Sequence, residues 1–205
     1  MQTTSIFNAS SNRLHHVFAA VATLFCALAL PAQAQWRLDN DASELRFVTT
    51  KNTNAAEVQR FTKLTGELAE NGAARLVINL ASAETGVPIR NERLQTMLFE
   101  IAQFPAAQFD AQIDAKQLAA LEPGASFDVE LAGKLTLHGK TQDTKALLRV
   151  VRLRDQRILV STRAPILVSA APFDLSAGIE KLREIMALPN IIGTVPVTFA
   201  LTFQK

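Results

Sequence analysis

The sequence predicts an all-β fold, in which about eight antiparallel strands close into a barrel and two short helices interrupt the sheet. Strict alternation of apolar and polar residues is the main observation, because a strand with one apolar face is typical of an antiparallel sheet that meets water on its other face. The alternation is clearest in a C-terminal strand with Val195, Val197, Phe199, Leu201 and Phe203 on one face. Short turns at 71–72 and 122–124 indicate a meander. Closing a meander removes its exposed edges.

Four further segments repeat this pattern, and each has the length of a strand. Their apolar faces carry Leu76, Ile78 and Leu80; Ala107, Phe109, Ala111 and Ile113; Phe127, Val129 and Leu131; and Ile158, Val160, Thr162 and Ala164. The repetition along the chain predicts one sheet with a continuous apolar interior.

Two segments have helical rather than alternating spacing. The first covers residues 88–97, where Pro88 occupies a first turn that tolerates proline. The second covers residues 176–187, with Ser176 as the expected N-cap and Pro189 beyond its end. The first helix leads into an aromatic-proline-aromatic corner, and this predicts a lid on the barrel.

Residues 1–34 have the pattern of a secretory signal peptide. Arg13 supplies the positive charge, and residues 17–30 form an uncharged apolar run that is too short for a transmembrane helix of about 20 residues. The small residues around Ala34 predict cleavage there, which leaves one domain at 35–205. We therefore expect an exported, periplasmic protein.

Composition excludes several classes of function. The only cysteine, Cys26, lies in the predicted signal peptide, and Phe25 before it is a poor residue for lipidation, so we expect neither a disulfide nor a stable membrane anchor. Removing Arg13 from 21 cationic and 19 anionic residues leaves a formal charge of +1. A near-neutral domain argues against nucleic acid as a partner.

Catalytic and metal-binding patterns are missing from the mature sequence. His138 is its single histidine, whereas zinc sites use three or four closely spaced ligands. A turn residue with a solvated ring is the preferred interpretation of His138, and a general base or metal ligand is the alternative. There is no nucleophile elbow and no glycine-rich phosphate loop. We expect no enzyme activity, no cofactor and no metal.

Phenylalanine dominates the aromatic content, with twelve residues against one tryptophan and no tyrosine. A barrel of eight strands is just wide enough to fill with side chains or to hold one ligand. Small residues such as Ala107, Ala111 and Ala164 leave room inside. Few polar anchors accompany them, which favours an aliphatic ligand over a sugar or a nucleotide.

Short motifs along almost the whole mature chain resemble the YceI family of periplasmic lipid-binding proteins, which have a lipocalin-like barrel. The matching residues are Trp36, Leu38 and Asp39; Ser43, Leu45 and Phe47; Phe61 and Gly66; Ser82, Thr85 and Gly86; Arg90, Asn91 and Leu94; Phe104, Pro105 and Phe109; and Gly133, Leu135, Thr136 and Gly139. Many relatives carry a histidine where this chain has 49–51, so no role of that histidine is transferred.

The resemblance implies that the barrel binds an isoprenoid, a polyprenyl quinone or another long-chain lipid. The expected cavity and lid residues are Phe47, Phe61, Leu76, Ile78, Leu94, Leu98, Phe99, Phe104, Phe109, Phe127, Val129, Leu131, Val197 and Phe199. Arg90 and Arg93 are candidates for contacts with a head group, and a solvated helix face with weak local ion pairs is the alternative for them.

Two other functions stay open at this point. One is an enzyme that acts on an isoprenoid lipid, which requires an acid/base pair inside the barrel; the inward faces predicted here carry almost no titratable groups. The other is a stress-related interaction protein with a solid core and no ligand. The sequence also leaves open the lipid, its delivery partner and whether the protein forms a homodimer.

Overall fold

Eleven strands form one antiparallel sheet in the residues that the computed structural model describes, 35–52 and 54–205. The predicted signal peptide lies outside these residues. The strands are β1 (Gln35–Lys51), β2 (Ala55–Phe61), β3 (Leu64–Ala69), β4 (Ala73–Asn79), β5 (Ala83–Glu84), β6 (Ala106–Gln112), β7 (Ser126–Leu137), β8 (Lys140–Arg152), β9 (Ile158–Thr162), β10 (Ile166–Ser169) and β11 (Thr194–Gln204).

Eight of these strands close the predicted barrel. The sheet runs in the order β11, β9, β8, β7, β6, β4, β3 and β1, and β1 pairs back onto β11. Leu38 lies opposite Phe203 and Phe47 lies opposite Val197 across this closing pair. The predicted eight-stranded antiparallel barrel is confirmed.

The other three strands extend the barrel wall at one end, which we call the extended end. There β2 pairs with the C-terminal half of β1, from Leu45 opposite Phe61 to Lys51 opposite Ala55. Strand β5 follows β4 in the chain and pairs with β2. Strand β10 follows β9 in the chain and pairs with β11. A bend at residues 163–164 separates β9 from β10, and a 3-10 turn, Leu80–Ser82, separates β4 from β5. The predicted inward position of Ala164 is wrong, because Ala164 lies exposed in the bend between β9 and β10.

Within the described part of the chain, three α-helices accompany the sheet, α1 (Pro88–Arg93), α2 (Ala115–Ala119) and α3 (Ser176–Ile185). The two predicted helices are present, but the first changes to a π-helical turn over Leu94–Leu98. The unpredicted α2 is capped by the Asp114 carboxylate, which accepts from the backbone N–H of Lys116. No helix in the described ranges has the length and hydropathy needed to cross a bilayer.

The predicted N-cap role of Ser176 is wrong. Ser176 is the first residue of α3, and Leu175, which precedes it, makes no side-chain capping bond. The chain enters α3 from a short turn, Ala171–Phe173, so tertiary packing rather than a polar cap fixes where this helix begins.

Helix α3 packs closely on the π-helical turn at the extended end. A Cβ atom on Gly178 would lie 2.7 Å from the carbonyl oxygen of Met97 and 3.0 Å from the Cα atom of Leu98. These distances are shorter than ordinary van der Waals contact, so glycine is required for this approach. The two helical segments therefore form one cover, defined here as Pro88–Arg93, Leu94–Leu98 and Ser176–Ile185.

Gly178→Ala is expected to destabilise the cover. Overpacking by the added methyl group lowers the free energy of unfolding by about 1–3 kcal/mol. The higher helix propensity of alanine offsets about 1 kcal/mol of this loss. The free energy of unfolding in urea should therefore fall by roughly 1 kcal/mol. Ser176→Ala, at an exposed position of the same helix, is the control and should leave stability unchanged or slightly raised. Equal stability of Gly178→Ala and the wild type would show that the contact yields without cost.

Candidate functional site

The extended end of the barrel contains an apolar cavity of about 220 Å³. Its wall is supplied by strands β1, β2, β4, β6, β7, β8, β10 and β11, and α1, the π-helical turn and α3 cover it. An apolar cavity of about 150 Å³ is already large enough to stay dry and to hold benzene. The interior is therefore hollow here, whereas the solid-core alternative expects side chains to fill it.

Ten of the predicted cavity residues lie on this wall. They are Phe47, Phe61, Leu76, Ile78, Leu94, Leu98, Phe99, Phe109, Val197 and Phe199. They come from five strands and the π-helical turn, and closure of the barrel is what brings them together. Their contact with a ligand stays a prediction.

Four other predicted residues lie outside the cavity. Leu131 borders a smaller space of about 50 Å³ further along the barrel, and Phe127 and Val129 pack against the core near it. Strand β7 runs from that region to the extended end, so Leu135 and Leu137 line the cavity instead. Alternation identifies the inward face of a strand, but it does not say which part of that face borders the cavity.

Phe104 also lies outside the cavity, contrary to its predicted place in the lid. Its ring centroid is 4.4 Å from that of His138, and its edge lies against Gly139. The imidazole is largely buried, and its Nδ1 lies 3.1 Å from the carbonyl oxygen of Phe173. The predicted solvated ring of His138 is therefore wrong, because this turn residue packs beneath the corner.

Three phenylalanines join the cover to the barrel wall. The Phe47 and Phe61 rings stack with centroids 5.1 Å apart, and the Phe61 and Phe99 rings are tilted with centroids 6.0 Å apart. Aromatic pairs at such separations contribute about 0.5–1.5 kcal/mol beyond their buried area. Because Phe99 follows the π-helical turn, this cluster holds the cover against β1 and β2.

Helix α3 contributes cavity residues that the sequence analysis does not assign to the site. They are Leu175 at its start, then Ile179, Leu182 and Met186. The helical spacing of these apolar residues in the sequence could have identified them. Ile185, another apolar residue of α3, is 48% exposed.

A polar cluster lies at one place on the cavity wall, close to the hairpin between β1 and β2. Lys51 Nζ donates to Glu57 Oε1 at 2.9 Å, and Arg90 from α1 donates to Glu57 Oε2. Gln59 Nε2 donates to Glu57 Oε2 at 3.2 Å. We call Lys51, Glu57, Gln59 and Arg90 the polar cluster. Arg93, the other head-group candidate, is not on the cavity wall.

The expectation that inward faces carry almost no titratable groups is therefore wrong at this end. The signal was present in β1, where Leu45, Phe47, Thr49 and Lys51 alternate on the inward face. The face changes from apolar to polar toward the hairpin, and Glu57 opposes Thr49 across the strand pair.

The hydrogen bond from Lys51 lowers the pKa of the Glu57 carboxyl below its ordinary value. The positive charges of Arg90 and Lys51 act in the same direction, and burial opposes them. Glu57 is therefore ionised and paired at neutral pH. A general base works best when its pKa lies near the operating pH, so this pairing favours a structural role over proton transfer.

The lowered pKa predicts acid sensitivity. A carboxyl group whose folded pKa is depressed stabilises the protein above its unfolded pKa, and this contribution is lost as the pH falls through the folded value. The stability difference between the wild type and Glu57→Gln should be constant from about pH 7 to 5 and should shrink below about pH 4.5. Urea unfolding of both proteins across this range measures it. Several exposed carboxylates also have lowered pKa values, but they are present in both proteins and their contributions cancel in the stability difference. A stability difference that stays constant down to about pH 3 would contradict the prediction.

The domain is similar to a known family and to solved barrels. Residues 36–203 match the family model of the YceI-like domain. A polyisoprenoid-binding domain from Saccharophagus degradans, implicated in plant cell wall breakdown, is 39% identical, with a TM-score of 0.80 over 84% of this chain and 98% of that chain. BcnA from Burkholderia cenocepacia is 21% identical, with a TM-score of 0.62 over 80% and 98%, and this likeness concerns the fold alone. No curated protein matches the chain.

Proposed function

This chain belongs to the YceI-like family, and from that premise we propose that it binds one amphiphilic lipid inside the extended end of its barrel. The tail is of isoprenoid, polyprenyl quinone or fatty-acid type. The protein sequesters or carries this lipid and makes or breaks no bond in it.

The covered apolar cavity is the observation that carries the proposal. Its wall combines aliphatic side chains with the three packed phenylalanines, and this suits a hydrocarbon tail better than a sugar or a nucleotide. Each methylene group that leaves water contributes about 0.8 kcal/mol. A long tail therefore offsets the entropy lost when the lipid is held. The polyisoprenoid-binding domain at 39% identity supports the isoprenoid class.

The polar cluster disfavours the enzyme alternative. It contains an acid and a base inside the barrel, but Lys51 and Arg90 both bond to the Glu57 carboxylate. Because two cations hold the Glu57 carboxylate ionised, the cluster stabilises the wall and is poorly suited to move protons to and from a substrate.

Native mass spectrometry of the protein purified from its own host tests the proposal. We expect a species heavier than the protein by one hydrophobic molecule, and denaturation should release that molecule unchanged. Incubation of the complex should also leave the lipid mass unchanged, whereas a new mass would favour the enzyme. A protein mass without any addition, from correctly folded material, would contradict the proposal and favour a ligand-free interaction protein.

Export to the periplasm completes the proposed function, because the predicted signal peptide precedes the domain. Processing is expected after Ala34, and N-terminal sequencing of the exported protein should begin at Gln35. A mature protein that begins at Cys26 and carries diacylglycerol would contradict this prediction and make the protein a membrane-anchored one.

A further inference from the structure

Gln59 is a buried polar residue on the cavity wall. It lies on the inward face of β2 between Glu57 and Phe61, and only 3% of its surface is exposed. Its Oε1 atom is buried and has no hydrogen-bond partner among the described residues. Buried side-chain oxygens in proteins are nearly always paired, so this oxygen requires an explanation.

The orientation of the amide is fixed by its neighbours. Nε2 lies 3.2 Å from Glu57 Oε2 and 3.4 Å from Thr49 Oγ1. Rotating the amide by 180° would place Oε1 against the ionised Glu57 carboxylate, and two acceptors would then repel each other. The acceptor Oε1 is therefore left for a partner that donates, and because the atom is fully buried, neighbouring side chains must shift slightly when that partner binds.

The surroundings fit a hydroxyl group. A ligand hydroxyl can donate its proton to Gln59 Oε1. The Thr49 hydroxyl, which accepts from Gln59 Nε2, can donate its own proton to a lone pair of the same ligand oxygen. Lys51 and Arg90 both bond to the Glu57 carboxylate, which balances one of their two positive charges. The adjoining wall, at Phe47 and Phe61, is apolar.

We propose that Gln59 selects a lipid whose head group carries a neutral O–H donor, an alcohol or a phenol, over head groups that only accept hydrogen bonds. This inference rests on the proposed function and adds the chemical class of the head group. A site built around a buried polar atom rejects an analogue that lacks the complementary group, because that atom is then left unpaired in the complex.

Two probes that differ only at the head group test this inference, farnesol and farnesyl methyl ether. Both have the same tail and one oxygen, but only farnesol donates. The wild type is expected to bind farnesol about tenfold more tightly than the ether. Gln59→Leu should lose this preference and bind both probes with the affinity that the wild type has for the ether. Gln59→Met, which keeps an unbranched side chain, repeats the test if the leucine variant folds poorly. Gln204→Leu, at an exposed strand position, is the control and should keep the preference.

Each outcome separates this inference from the proposed function. Equal binding of the two probes by the wild type, or a preference that survives in Gln59→Leu, would overturn the role of Gln59 and leave lipid binding intact. Tighter binding of farnesyl phosphate than of farnesol would show that the cations, not Gln59, select the head group. Failure of all three probes to bind would overturn the proposed function, and the inference with it.

Discussion

Ala107→Phe is expected to weaken the binding of a long-chain lipid by about 100-fold. Ala107 is buried on the cavity wall in β6, opposite Ile78 of β4. A benzyl group at this position enters the space assigned to the tail and displaces about four methylene groups, each worth about 0.8 kcal/mol. The loss is therefore about 3 kcal/mol, which corresponds to a factor of roughly 100 in the dissociation constant. Because the ring enters a hollow, the melting temperature should change little.

Ala106→Phe is the matched control for this variant. Ala106 is the adjacent residue of β6, but it is exposed. The same substitution there should leave both lipid binding and melting temperature close to those of the wild type. Titration of each protein with farnesol measures the affinities. Unchanged affinity in a folded Ala107→Phe protein would show that the tail does not occupy this space.

Phe99→Ala is expected to cause the largest loss of stability among the cavity residues. The ring is buried, lies against Phe61 and joins the cover to the barrel wall. Removing a buried phenylalanine side chain costs about 3–5 kcal/mol. The variant should also retain less lipid, because the cover loses its attachment. Urea unfolding and extraction of bound lipid from the folded fraction measure the two effects.

Phe104→Ala is the comparison that separates the cover from the corner beside it. The Phe104 ring packs on His138 outside the cavity. Its removal should lower stability, while lipid retained per folded protein stays at the level of the wild type. Lipid loss from Phe104→Ala equal to that from Phe99→Ala would restore the lid role that the sequence assigns to Phe104.

The barrel could be predicted from the sequence because alternation is a local property. The inward residues of β11, such as Val197 and Phe199, recur at every second position of the sequence. A closed sheet buries the apolar faces of all its strands in one interior. The bends that divide β9 from β10 have no comparable pattern. They depend on where the wall meets the cover, which is decided by tertiary contacts.

The candidate site was less predictable because position along the barrel is not a local property. Leu131 and Leu135 share a face of β7, yet only Leu135 reaches the main cavity. The polar cluster required Arg90, which is 33 residues from Glu57, so a paired charge on the cavity wall at β2 could not be deduced from that strand alone. Unpaired charges avoid barrel interiors, and their partners are brought close only by the fold.

Photo-crosslinking of the bound tail tests the central claim, that the lipid lies inside the barrel, most directly. The probe is farnesol with a diazirine at the far end of its tail, and peptide mass spectrometry locates the label. We expect labelling of inward residues such as Leu76, Phe109 and Val197, and we expect Ala107→Phe to suppress it. Labelling confined to exposed apolar residues such as Leu147 and Leu167, unchanged in Ala107→Phe, would place the lipid on the outer surface and contradict the claim.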